Sequence, residues 1–369
     1  MSELFSKLQL GGLTLENRVV VPPMCQYQAV EGLLRPWHYM HVGSMAVSGA
    51  GLVIMEATGI EAVGRISPNC LGLYTDEQEA AFTQLLRSVR TYSKAKIGIQ
   101  LCHAGRKAST LPFDKFMPAD LEHGGWQDLI GPSDVKIQPD WAAVTPMDEA
   151  EIERVIGLFA SAAARADRCG FDAIEIHGAH GYLISQFLSP MANRRTDRYG
   201  GSLDNRMRFG RRVAEAVRAI WPRGKAVGFR LNATDWIEGG ITLDETVEFS
   251  SVLHEIGIDF VTISSGGNSR AQKLPPHIPS YQVGFAEEVK RRVGITTMAI
   301  GMILTPKQAN DIVKEKQADL IGVARATLDD PRWALHAAQA LGDEPQYPES
   351  YWRLSRKHWP GYDIVHGAT

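Results

Sequence analysis

The sequence predicts a closed (β/α)8 barrel. Eight short apolar runs alternate with segments of helical periodicity, and no G-x-G-x-x-G follows the early runs to mark a doubly wound sheet. The runs are rich in Val and Ile and nearly continuous in hydrophobicity, as parallel strands covered on both faces must be. In chain order, a strand over Arg18–Val21 precedes a helix over Pro36–Val47. A strand over Gly51–Ala57 precedes a helix over Thr75–Ser93, which opens TDEQ, a capping box, and carries Lys and Arg in its last turns. The strand Lys96–Leu101 leads to the helix Asp148–Cys169, with acids first and Gly170 behind it. Phe171–His177 pairs with a helix over Gly201–Ile220, and Ala226–Leu231 with Thr242–Ile256, which opens TLDE and stops at Gly257. Phe260–Ser264 precedes Val283–Val293, Thr297–Ile300 precedes a Thr-Pro start at Thr305–Lys316, and Asp319–Val323 precedes Pro331–Leu341.

The length, 369 residues, would also suit two domains at roughly 150 residues each. No linker of Ser, Gly and Pro and no low-complexity tract divides the chain, so one domain over 1–369 is expected. One connection is too long for an ordinary βα loop of ~2–6 residues. Residues 105–145 follow the third strand and hold Trp126, Trp141, Pro112, Pro118, Pro132 and Pro139. Loops behind barrel strands lie on the catalytic face, so this insertion is expected to form a lid or wall; an interface role is the alternative. Residues 343–369 form a C-terminal tail.

Lys+Arg 39 against Asp+Glu 42 leaves a formal charge of -3, which predicts neither nucleic acid nor an anionic membrane as partner. Cys25, Cys70, Cys102 and Cys169 form no C-x-x-C pair, against zinc-ribbon and iron–sulfur spacings and in keeping with a reducing compartment. The start lacks a secretory pattern and no run approaches the ~20 apolar residues of a membrane span, so a cytoplasmic protein is expected.

In a barrel the chemistry stands at the C-terminal strand ends. Those positions read Pro22-Pro23-Met24-Cys25-Gln26-Tyr27, Glu56-Ala57-Thr58, Gln100 through Lys107, Glu175 through Tyr182, Arg230 with Asn232, Ser264 through Gly267, Gly301, and Ala324-Arg325. Glycine turns after strands six and seven, with Ala324-Arg325 after eight, suit a phosphate held by backbone N–H groups and a guanidinium. Arg230, inside an apolar strand, needs an anion or a charge that develops during reaction. Flavin mononucleotide (FMN) has both a phosphate and an electron-rich ring.

Four longer segments, PPMCQY behind Asn17-Arg18, QLCHAGRKA, EIHGAHGYLISQFLSPMANRRTDRYGGSLDNRMRF and ADLIGVARATLDDP, occur in the order that a known family carries them. Over nearly its whole length, from Leu4 to about Pro331, the chain resembles the Old Yellow Enzyme family of flavin-dependent ene-reductases, most closely its smaller thermophilic-like and xenobiotic-reductase branch. The resemblance implies noncovalent FMN, NADPH or NADH as hydride donor, and reduction of activated C=C bonds in enones or nitro compounds. It puts Pro22, Pro23, Met24 and Cys25 along the isoalloxazine, Ala57 and Gln100 on the pyrimidine edge, and Arg230 near N1 and C2=O. It assigns Gly301, Ala324 and Arg325 to the phosphate, His177 and His180 to the substrate oxygen, Tyr182 to proton donation and Tyr27 to a second substrate hydrogen bond. It also implies a homodimer or homotetramer.

The chain departs from its relatives in two places. Gln26 stands where some carry a second Met, which leaves the polarity of the first loop open. The tail ends KHWPGYDIVHGAT, in which Trp359 with Trp352 is expected to form an aromatic wall on the substrate, in its own site or a neighbour's; a simple packing tail is the alternative. An H-x-x-H pair can also bind a metal, with Glu175 or His103 as third ligand. Lys107 with the His pair would suit a Schiff-base or metal-dependent lyase or hydrolase, and a flavin-binding protein without catalysis is a third class. The stretch Asn193–Arg212 reads as a structural anchor.

Overall fold

In the computed structural model, which describes residues 1–113, 117–276 and 278–366, each apolar run becomes one stave of a barrel. The staves are β1 (Val19–Val21), β2 (Leu52–Gly59), β3 (Lys96–Cys102), β4 (Ala173–Gly178), β5 (Ala226–Asn232), β6 (Phe260–Ser264), β7 (Thr296–Ile300) and β8 (Leu320–Gly322). Each pairs in parallel with its sequence neighbour, and β8 closes on β1 through Ile321 opposite Val19. The helices behind them are α1 (Pro36–Ala46), α2 (Asp76–Tyr92), α3 (Glu149–Cys169), α4 (Leu203–Ile220), α5 (Leu243–Ile256), α6 (Val283–Val293), α7 (Pro306–Lys314) and α8 (Trp333–Ala340). Their ends follow the expected chemistry. Thr75, Thr242 and Thr305 accept from the third helical amide as capping boxes, and Gly170, Gly257 and Gly294 end α3, α5 and α6 in the left-handed conformation.

Alternation along parallel strands sorts the barrel interior into layers. The lowest layers are apolar and include Val20, Leu52, Ile54, Ala173, Ala226, Phe260, Met298 and Leu320. Phe260 fills the centre because Gly228 opposite has no side chain; a Cβ there would lie 2.2 Å from its ring. A hairpin, Leu8–Leu10 with Leu13–Leu15, closes the floor by adding Leu10, Leu13 and Leu15 to this cluster. Its strands are three residues each, too short for periodicity to announce. A second apolar layer lies between the staves and the helices, with Phe82, Phe159, Phe171, Phe209 and Phe249 buried in it.

The insertion is more than a loop. Leu129–Gly131 and Val144–Pro146 pair as a small parallel sheet, although residues 114–116 of the expected lid lie outside the described residues, as do 367–369 of the tail. The Asn193–Arg212 stretch anchors it: the Arg195 guanidinium donates to Pro132 O at 3.0 Å and Met147 O at 2.5 Å. A short helix, Leu183–Leu188, also follows β4; six residues are below the length at which a helical period can be recognised.

Candidate active site

Above the apolar floor the inward positions turn polar. Gln100, Glu175, Arg230 and Thr262 belong to four different staves, and all are buried. Glu175 Oε1 accepts from Gln100 Nε2 at 2.6 Å, and its Oε2 meets Thr262 Oγ1 at 2.5 Å. Burial raises the pKa of this carboxyl, while the Arg230 charge opposes that shift. Arg230 is 9% exposed, and its guanidinium Nε has no hydrogen-bond partner among the described residues. A buried unsatisfied donor costs about 1–3 kcal/mol and more when charged, so its retention points to a ligand that completes it.

Two residues further along β4 the strand delivers His177, and a turn delivers His180 and Tyr182. The His177 ring lies edge-on to His180 with centroids 5.1 Å apart and edge-on to Tyr182 at 4.9 Å. His180 is held at φ 57, in the left-handed region, where a non-glycine residue persists only when its surroundings hold it. Asn232 Oδ1 accepts from His180 N at 3.0 Å, and Lys107 Nζ donates to His180 O at 2.5 Å and to Gly267 O at 3.1 Å. Burial, then the Arg230 charge, pushes both imidazoles well below 6.5, so both are neutral at pH 7. His177 Nδ1 accepts from Ala179 N at 3.3 Å, which leaves Nε2 as its N–H; His180 Nε2 is engaged with Ser264 Oγ at 2.6 Å.

Tyr182 stands at the start of the Leu183–Leu188 helix on an extended backbone, and burial raises its phenol so that it remains a donor at neutral pH. The Lys107 ammonium lies 4.8 Å from its ring centroid, and burial followed by the Arg106 charge brings that ammonium down to about 7. Tyr27, at φ 53, packs with Tyr182, Cys25 and Trp126 around one apolar cluster, and the insertion's Phe113 lies edge-on to it at 5.7 Å. The insertion therefore walls this end of the barrel.

The first loop places Pro22, Pro23, Met24 and Cys25 beside β2, where the register shifts between Met55 and Ala57. The question left by Gln26 resolves here. Its Nε2 donates to Met24 O within the loop, its Oε1 accepts from Trp37 Nε1 on α1, and its backbone N–H donates to Glu56 on β2, so its polarity ties the loop to its neighbours. Cys25, Glu56 and Cys70 bring their ligand-type atoms within 4.8 Å of one another. The sequence places Glu56 at a strand end and Cys70 among the cysteines, but nothing local links either to Cys25.

At the far rim, Gly301 has φ 99, and a Cβ there would come within 2.3 Å of Gln282 Nε2. Ala324 leads into the short helix Arg325–Asp329, and the exposed Arg325 makes no ion pair with a carboxylate among the described residues. The charges of Arg325 and Arg230 both reach the Tyr281 phenol. This donor set fits FMN: an open arginine and a side-chain-free turn at the rim, and an incompletely satisfied arginine at the centre. A metal on the His pair fits less well. His103 is committed to Glu61 at 2.9 Å and to Gly105 N at 3.0 Å, Glu175 to Gln100 and Thr262, and no third ligand-type group joins His177 and His180 among the described residues. Trp359 lies in the tail with its ring edge-on to Tyr362. No helix among the described residues is long and apolar enough to cross a membrane.

Residues 3–344 match the sequence signature of the NADH:flavin oxidoreductase / NADH oxidase family. An NADPH dehydrogenase of Listeria innocua is 40% identical over 355 residues, 96% of this chain and 99% of that protein. One of a Geobacillus species is 41% identical over 341 residues, 92% and 94% of the two chains. Among solved structures, morphinone reductase in complex with tetrahydroNAD superposes with a TM-score of 0.76 at 26% identity, covering 97% of this chain and 96% of that one.

Proposed function

Since the chain belongs to the NADH:flavin oxidoreductase / NADH oxidase family, to which the Old Yellow Enzyme resemblance also led, we propose that it is an NADPH-dependent ene-reductase of activated C=C bonds. The observation that carries this reading is the grouping of His177, His180 and Tyr182, three rings edge to face, over the incompletely satisfied Arg230. Noncovalent FMN, when bound, would supply the hydride chemistry, with NADPH or NADH as donor. Gly301, Ala324 and Arg325 would hold its phosphate, Gln100 and Ala57 its pyrimidine edge, Arg230 its electron-rich centre, and Pro22, Pro23, Met24 and Cys25 its ring.

The protein's own groups then act on the substrate. Reduction of an α,β-unsaturated carbonyl at Cβ moves negative charge to oxygen. Two neutral imidazole N–H groups aimed at that oxygen would stabilise the charge and set the register of the reacting carbon. Tyr182, two residues past His180, would protonate Cα. Tyr27 would give a second hydrogen bond, and Trp359 an aromatic wall, from its own tail or from that of a second copy in a homodimer or homotetramer. The family likeness supports enones, nitro compounds and related xenobiotics as the substrate class. Nothing in the charge balance favours nucleic acid or a membrane surface, and a cytoplasmic setting suits the unpaired thiols.

Protein purified with its cofactor should release one FMN per chain on heating and oxidise NADPH with an enone; mass spectrometry finding FAD or no flavin would overturn the reading. Cys25 should tune the site rather than act as a nucleophile, because hydride transfer has no covalent step for a thiolate. Cys25→Ala should shift the flavin midpoint potential in a dye-coupled titration and keep turnover. A folded, flavin-loaded but inactive variant would contradict this.

A further inference from the structure

Glu175 is a fully buried acid that the chemistry above does not use. Its position follows from strand alternation. It stands two residues below His177 on β4, directly opposite Gln100 on β3, and its carboxyl bridges Gln100 Nε2 and Thr262 Oγ1 across the barrel. A glutamine amide is symmetric in shape and can present either its N–H2 or its C=O to a ligand. Glu175 removes that freedom: its oxygen on Gln100 accepts, so the amide nitrogen must face it and the carbonyl oxygen becomes the outward end. We infer that Glu175 is a positioning residue that fixes Gln100 as an acceptor, so that the site selects a ring whose edge offers an N–H between two carbonyls.

The inference rests on the FMN reading, because the pyrimidine edge of a flavin has that pattern, with N3–H between C2=O and C4=O. Thr262 completes the device by holding the second carboxyl oxygen, so Glu175 cannot turn away from Gln100 without losing a buried partner.

The test titrates apo-protein with FMN and with N3-methyl-FMN, which lacks the donor, and reads flavin fluorescence. Wild-type protein should bind N3-methyl-FMN about tenfold or more weakly, the scale of one buried hydrogen bond, about 1.4 kcal/mol. Glu175→Leu, which has no acceptor, should bring the ratio of the two affinities to within about threefold. Glu175→Gln can still offer an oxygen to Gln100 and an amide to Thr262, so it should keep most of the wild-type ratio. In a Gln100→Leu background, Glu175→Leu should change the ratio no further. If Glu175→Leu does not fold, Glu175→Asp, one methylene shorter, withdraws the acceptor from Gln100 and should lower the ratio. A wild-type ratio retained in both Glu175→Leu and Glu175→Asp would overturn the role of Glu175 while leaving the FMN reading intact. Wild-type apo-protein that binds neither flavin would overturn both.

Discussion

Tyr182→Phe should lower enone reduction by about 10²–10⁴-fold while leaving FMN content and flavin reduction by NADPH unchanged. Hydride addition at Cβ leaves an enolate whose Cα must gain a proton, and the insertion's Phe113 and Trp126 help wall that end of the barrel. The phenol suits the task because burial raises its pKa, so it carries its proton throughout the neutral range. Phe preserves the ring against His177 and beneath the Lys107 ammonium and removes only the hydroxyl, so the fold should survive. A nitroalkene leaves a nitronate, stable enough to depart and be protonated in bulk water. The variant should therefore still consume nitroalkene and release nitronate. Stopped-flow rates for the two half-reactions check this; equal enone rates in variant and wild type would pass the role to water or to Tyr27.

His177→Ala and His180→Ala should each slow the oxidative half-reaction by about 10²–10³-fold, the effect of removing one donor worth on the order of 2.7–4 kcal/mol. Flavin reduction should change less, and the charge-transfer band formed with phenols should need higher phenol concentrations. The sign of the electrostatics matters. Burial and the Arg230 charge hold both rings well below 6.5, so each acts as a neutral N–H donor and not as an imidazolium. Nitrogen-15 spectra of histidine-labelled protein at about pH 6 should accordingly report neutral rings for both, although a free imidazole is mostly protonated there. Unchanged phenol affinity in both variants would remove the pair from the substrate oxygen.

By itself, the sequence determined whatever depends on neighbours along the chain. Strand and helix positions followed from apolar periodicity and from caps such as Thr75, Thr242 and Gly257, whose hydrogen bonds close within a few residues. The residues at the strand ends were legible for the same reason, because parallel staves in a barrel all finish on one face. The short hairpin beneath the barrel and the small sheet within the insertion were not, since their three-residue strands stand outside the strand–helix alternation that marked the equally short β1 and β8. Only the tertiary structure decided which side chains meet across staves. It brought Cys70 and Glu56 to Cys25, tied Gln26 to Trp37 and Glu56, and joined Glu175 to Gln100 and Thr262. Strand alternation from His177 puts Glu175 inside the barrel, but its partners depend on how far each stave is shifted against the next. That register is set by closing the barrel over Phe260 and the hairpin floor, and no local pattern of residues encodes it.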